Sequence, residues 1–189
     1  MIDHDPEARP DAPLEQAPMP SRRRLLRGGL AAAPVMLTLA SRPVRAGGSC
    51  KAASAFASIN LSGHKTAGTC TGHQPPYWQG TSSWPGGCQA SGSNATQFSA
   101  IFTTGNVYPG KTMMQVMNMN GTTGTSGVAR YLCAAYLNAS ATLTPQNVLS
   151  QATATSVWTS FINKGYYEPT AGVQWNSDQI ISWVNSTMS

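Results

Sequence analysis

The sequence predicts an all-α fold: one small helical domain over residues 47–189, bearing a long disulfide-stapled loop and following a leader over residues 1–46. Three observations lead there. Large apolar residues in the second half recur three and four apart, as in Leu132, Tyr136 and Leu137 or Val157, Trp158 and Phe161, the spacing of one helix face. Glycines such as Gly63, Gly105 and Gly165 follow these runs, where a helix end favours them. The apolar–polar alternation of half-buried strands is not apparent.

The elements follow in order. Cys50 to Asn60 predicts a short helix with Phe56 and Ile59 on one face, ended by Gly63. Residues 62–93 are dominated by Gly, Pro, Ser, Thr and Gln, and read as loop. Ser93 or Asn94 is expected to cap a helix running to Phe102. Lys111 to Asn118 is methionine-rich, and methionines at helical spacing are read as core filler rather than copper ligands. Gly121–Gly127 predicts a flexible turn before the most apolar helix, Val128 to Ala141. Thr144-Pro145 predicts the start of the next helix, with a capping hydroxyl and proline in the first position. Ser177 is expected to cap Asp178–Thr187, with Ile180, Ile181 and Val184 turned inward.

Charge is unevenly distributed. Residues 1–46 hold seven of the twelve basic residues and five of the seven acids. The remainder has Lys51, Lys65, Lys111, Arg130 and Lys164 against Glu168 and Asp178, a thin net charge of +3. Nucleic-acid binding needs clustered Lys and Arg, so no nucleic-acid partner is expected.

Residues 1–20, rich in Pro, Asp and Glu, predict disorder. The run Ser21-Arg22-Arg23-Arg24-Leu25-Leu26-Arg27 follows, then thirteen apolar or small residues from Gly28 to Ala40. A membrane-spanning helix takes about 20 residues, so the run suits a signal peptide rather than an anchor. The Ser-Arg-Arg-x-Leu-Leu segment resembles the twin-arginine translocation motif, with Val44-Arg45-Ala46 as the cleavage site. The resemblance implies export by the twin-arginine translocase, cleavage by signal peptidase after Ala46, and a periplasmic or secreted product. Such cargo crosses folded and often carries a cofactor, which directs attention to the cysteines.

All four cysteines, Cys50, Cys70, Cys88 and Cys133, lie beyond the leader. An even number in a small exported domain points to disulfides, and four allow three pairings. The pairing expected here is Cys70–Cys88 with Cys50–Cys133. A zinc site from Cys70, His73, His64 and Cys88 is the competing use. The chain lacks the Cys-x-x-Cys pair common in such sites, so no cofactor or metal is expected.

The stretch Cys70-Thr71-Gly72-His73-Gln74-Pro75-Pro76-Tyr77-Trp78, with Trp84 further on, resembles a Pro-Gly-Tyr/Phe-Trp motif of secreted bacterial proteins. Ala134–Ala139 and the closing Thr187-Met188 are similar to the same group. That group has no established activity, so the likeness implies a module and not a reaction.

Catalytic candidates are few. Glycoside hydrolysis commonly uses two carboxylates, and beyond Ala46 only Glu168 and Asp178 exist; Asp178 suits a helix start. There is no Gly-x-Ser-x-Gly elbow and no phosphate-cradling motif. Enzyme function is therefore not expected, a small hydrolase or metal protein using His64, His73, Cys70 and Cys88 remaining the alternative. Recognition is the commoner use of such an aromatic, amide-rich loop, and Tyr77, Trp78 and Trp84 could stack on sugar rings of an envelope glycan. The favoured reading is that they fold back as a small core of their own.

Overall fold

The computed structural model describes residues 50–58 and 69–189. In chain order these form α1 (Ala53–Ala57), α2 (Pro75–Gly80), α3 (Phe98–Ile101), α4 (Met113–Asn118), α5 (Gly124–Ser140) and α6 (Gln151–Lys164). A hairpin, β1 (Tyr167–Thr170) and β2 (Val173–Trp175), and then α7 (Ser177–Asn185) complete the order. The leader, the expected cleavage site at Ala46 and His64 lie outside the described residues.

Helix α5 is the axis of the domain. Val128, Ala129, Leu132, Cys133, Ala134, Ala135 and Leu137 are all fully buried, and α4, α6 and α7 pack around them. A helix apolar on nearly every side belongs inside a fold. Its alanines and Gly127 permit close approach: a Cβ on Gly127 would lie 2.8 Å from Ile181 Cδ1 and 2.9 Å from the Thr122 carbonyl carbon. The predicted turn over Gly121–Gly127 is therefore corrected at its second half, since α5 begins at Gly124.

Two aromatic clusters flank this axis. In one, Phe98 stacks on Phe102 at 4.8 Å and meets Trp158 edge-on at 5.1 Å. The Trp158 indole N–H donates to the Thr104 carbonyl at 3.1 Å. In the other, Trp175 lies 5.8 Å from Trp183 and 5.7 Å from Phe56. Trp183 donates to the Lys51 carbonyl at 3.0 Å, fastening the segment before α1 to α7.

The helices end where local chemistry lets them. Thr112 and Gln115 form a capping box on α4, and Asn176 and Gln179 form another on α7, each satisfying two backbone N–H groups reciprocally. Asn176, not Ser177, is thus the cap. The predicted start at Thr144-Pro145 also moves. Thr144 Oγ1 donates to the Leu149 carbonyl and closes a separate turn, after which Ser150 caps α6 by accepting from Thr153 N. Gly165, at φ +79°, ends α6 as predicted. The helix expected from Ser93 or Asn94 is reduced to α3, with Gln97 at its cap position. The loop read over residues 62–93 contains α2.

The all-α expectation is corrected by the hairpin. Strands β1 and β2 pair antiparallel, with Tyr167 opposite Trp175 and Thr170 opposite Val173. Gly172 supplies a φ of +78° at the turn, and Glu168 Oε1 accepts from its N–H at 2.8 Å. The register is irregular between Tyr167 and Thr170, where Pro169 has no N–H to give. Among the described residues, no helix is long and apolar enough to cross a membrane.

Candidate functional site

The segment singled out for recognition, Cys70 to Cys88, is anchored along its length. Thr71 N donates to the Leu143 carbonyl at 3.0 Å, and Ser189 N donates to the Gly72 carbonyl at 2.7 Å. Gly72 lies against the C-terminus so closely that a Cβ would come within 2.7 Å of the Thr187 carbonyl oxygen.

The main anchor is Asn138, fully buried on α5. Its Oδ1 accepts from His73 N at 2.8 Å and from Trp78 Nε1 at 3.0 Å. Its Nδ2 donates to the His73 carbonyl at 2.9 Å. A buried amide must find such partners or cost about 1–3 kcal/mol per orphaned group. Trp84 Nε1 in turn donates to the Trp78 carbonyl at 3.0 Å. Asn138 escaped the sequence reading because it sits among alanines and leucines. A polar residue interrupting an otherwise apolar helix face was its only signal.

The loop residues therefore divide. Trp78 and Trp84 are 4% and 7% exposed, and their indole N–H groups are both engaged, so neither offers a face for stacking on a sugar. The expected fold-back into a small core holds for Trp78 and Trp84, and the stacking candidates reduce to Tyr77. Tyr77, 48% exposed, stacks on His73 at 3.7 Å and meets Trp78 edge-on at 5.1 Å. The sequence brought all three aromatic residues together; Trp78 lies on the buried face of α2 and Tyr77 off it, while Trp84, beyond the helix, is held inward by its bond to the Trp78 carbonyl.

The expected disulfides are corrected too. Cys50 joins Cys70, with Cα atoms 5.4 Å apart, while Cys88 and Cys133 are free thiols in the core. Burial pushes the Cys88 thiol above its ordinary pKa, partly offset by a hydrogen bond with Thr96. Burial raises Cys133 further, with the nearby Cys88 adding to it. Both are protonated at neutral pH and poor nucleophiles. With Cys70 in the disulfide, the zinc set of Cys70, His73, His64 and Cys88 loses a ligand. No group of three His, Cys, Asp or Glu side chains among the described residues is placed to hold a metal ion.

The two carboxylates are also apart in role. Glu168 closes the hairpin turn, and Asp178 accepts from Ser177 Oγ at 3.3 Å in the first turn of α7. The chain matches no protein-family model, and neither a curated protein nor a solved structure matches it.

Proposed function

We propose that the chain is exported by the twin-arginine translocase, cut after Ala46 by signal peptidase, and acts in the periplasm or outside the cell as a small structural or binding module of the envelope. The observation that carries this reading is the Cys50–Cys70 disulfide, which starts four residues beyond Ala46. Disulfides persist in oxidising compartments and are rare in the cytosol. The leader motif Ser21 to Leu26 supports the route. A binding or structural role is favoured over catalysis because Glu168 and Asp178 each serve local structure. The surface available to an envelope component is Tyr77, presented rigidly by His73 and Trp78.

Fractionation of a bacterial host expressing the tagged full chain tests the proposal. The wild type is expected outside the cytoplasm with a mass beginning at Gly47. The double substitution Arg22→Lys, Arg23→Lys is expected to leave uncut precursor in the cytoplasm. Equal export of that variant overturns the route. Retention of the wild type in the cytoplasm overturns the location.

A further inference from the structure

We propose that Asn120 is a site of spontaneous covalent modification, where the backbone nitrogen of Gly121 closes on the side-chain amide. The asparagine passes through a cyclic imide to aspartate and isoaspartate. Asn120 lies in the link between α4 and α5, exposed and with φ +53°. Among the described residues its side-chain amide has no hydrogen-bond partner, and the Gly121 N–H has no acceptor. Both reacting groups are therefore uncommitted and open to water. Because they share one dipeptide, they meet at a high effective concentration. Glycine adds no Cβ to shield the attacking nitrogen or to restrict the rotation that aligns it.

The other asparagines among the described residues each lack one of these conditions. Asn138 is buried with its hydrogen bonds made. Asn176 and Asn185 precede serines, but Asn176 Oδ1 accepts from Gln179 N and Asn185 Oδ1 from Gln74 Nε2. Asn106 shares the left-handed backbone, at φ +40°, yet β-branched Val107 follows it. Asn94, Asn118, Asn147 and Asn163 also precede residues whose side chains stand beside the attacking nitrogen.

The step needs only water. The Gly121 nitrogen bonds to Asn120 Cγ and gives up its proton, and the Cγ–Nδ2 bond breaks as ammonia leaves. Water then opens the imide at either carbonyl, leaving aspartate on the ordinary backbone or isoaspartate with an extra backbone carbon. That extra atom falls where room is least. A Cβ on Gly121 would lie 2.5 Å from Ser126 Oγ and 2.6 Å from the Ser126 carbonyl carbon, in the first turn of α5. Isoaspartate thus presses the α4–α5 link against the start of the central helix and loosens it.

The inference goes beyond the envelope reading and does not depend on export. The test holds the purified full chain at mildly alkaline pH and follows its intact mass. Isoaspartate is then mapped on proteolytic peptides with an isoaspartyl methyltransferase. The mass is expected to fall by one ammonia and then rise by one water, at Asn120 at least about tenfold faster than at any other asparagine. The modified fraction is expected to unfold at lower denaturant than the unmodified one. Asn120→Gly, which suits φ +53° and has no amide, should abolish the change while its circular dichroism matches the wild type. Asn120→Gln, which would have to close a larger ring, should suppress it as well. No conversion in the folded chain, conversion only after denaturation, or conversion first at another asparagine would each overturn the site. Undiminished accumulation in Asn120→Gly would do the same, and equal stability of the two fractions would overturn the loosening. Cytoplasmic retention of the Arg22→Lys, Arg23→Lys variant leaves this result unchanged, which separates the two proposals.

Discussion

The α5 body and the Cys70–Cys88 loop both bury tryptophan, but by different means. Around α5 the burial is apolar: Trp158 sits among Phe98, Phe102 and Tyr108, with one hydrogen bond to Thr104. In the loop, Trp78 is held by an amide, Trp84 by Trp78, and the first residue of the segment by a disulfide to Cys50. A segment poor in aliphatic residues cannot gain enough from area alone, since burial contributes about 25 cal/mol per Å². Directional bonds and a cross-link supply the rest. The two regions should therefore fail differently.

The largest effect is expected in the body. Trp158→Ala should cost about 3–5 kcal/mol, the range for removing a buried large aromatic, and lower the denaturation midpoint of the whole domain. Denaturant titration followed by far-UV circular dichroism checks it, and a change under 1 kcal/mol would mean that Trp158 is not the centre of that cluster.

The loop should break at its hub. Asn138→Ala removes the acceptor of both His73 N and Trp78 Nε1, and should cost about 2–4 kcal/mol, the lower part of the range of about 1–3 for each orphaned group, because His73 N is only part-buried. Combined with Trp78→Phe, the loss should be clearly less than the sum, because the second change removes a donor already stranded. Strict additivity would show that the two side chains act separately.

The cross-link comes next. Replacing Cys50 and Cys70 by Ser opens a loop with a sequence separation of 20 and should cost about 3 kcal/mol in the chain-entropy treatment. Intact mass after alkylation should show one disulfide in the native protein and two thiols that react only on unfolding. Four reactive thiols, or none, would contradict the different fates of the two cysteine pairs.

Alkaline pH sharpens the same contrast. An unfolded thiol ionises near about pH 8.5, whereas folded Cys88 and Cys133 hold their protons to higher pH. Above the unfolded value the folded state binds more protons, so this stability is complete below about pH 8.5 and is lost as pH rises through the folded values. Tyr108, Tyr136 and Tyr167, also raised first by burial, extend the loss beyond about pH 10. Cys133→Ala should flatten the decline between about pH 8.5 and 10; an unaltered slope would assign it elsewhere.

The smallest effect is expected at Tyr77. Tyr77→Ala removes a half-exposed ring and should shift stability by no more than about 0.5 kcal/mol, as at most surface positions, while weakening retention on isolated envelope material. A loss of several kcal/mol would make Tyr77 part of the loop core.

Much of the helical layout was legible. The apolar face of α5, the glycine stop of α6 and the methionine-rich α4 follow from residue spacing alone. Capping was harder, because Thr, Ser and Asn are abundant near every helix start and any of them can serve. Thus Asn176 rather than Ser177, and Ser150 rather than Thr144, were chosen by where the preceding chain turns. The hairpin had a faint signal in Tyr167-Glu168-Pro169-Thr170 and Val173-Gln174-Trp175, whose buried and exposed positions alternate. Each run is too short for period two to stand out beside a helical neighbour.

The sequence by itself determined that apolar helices would collect around residues 128–141 and that the Cys70–Cys88 segment would carry its aromatics together, because both follow from local spacing. Cysteine pairing and the inward turn of Trp78 were decided only by tertiary structure. Each depends on groups well separated along the chain: Cys50 reaching Cys70 and Asn138 meeting Trp78. Local preference scores a residue against its neighbours, whereas a pairing is selected by which distant surfaces the core brings within bonding distance.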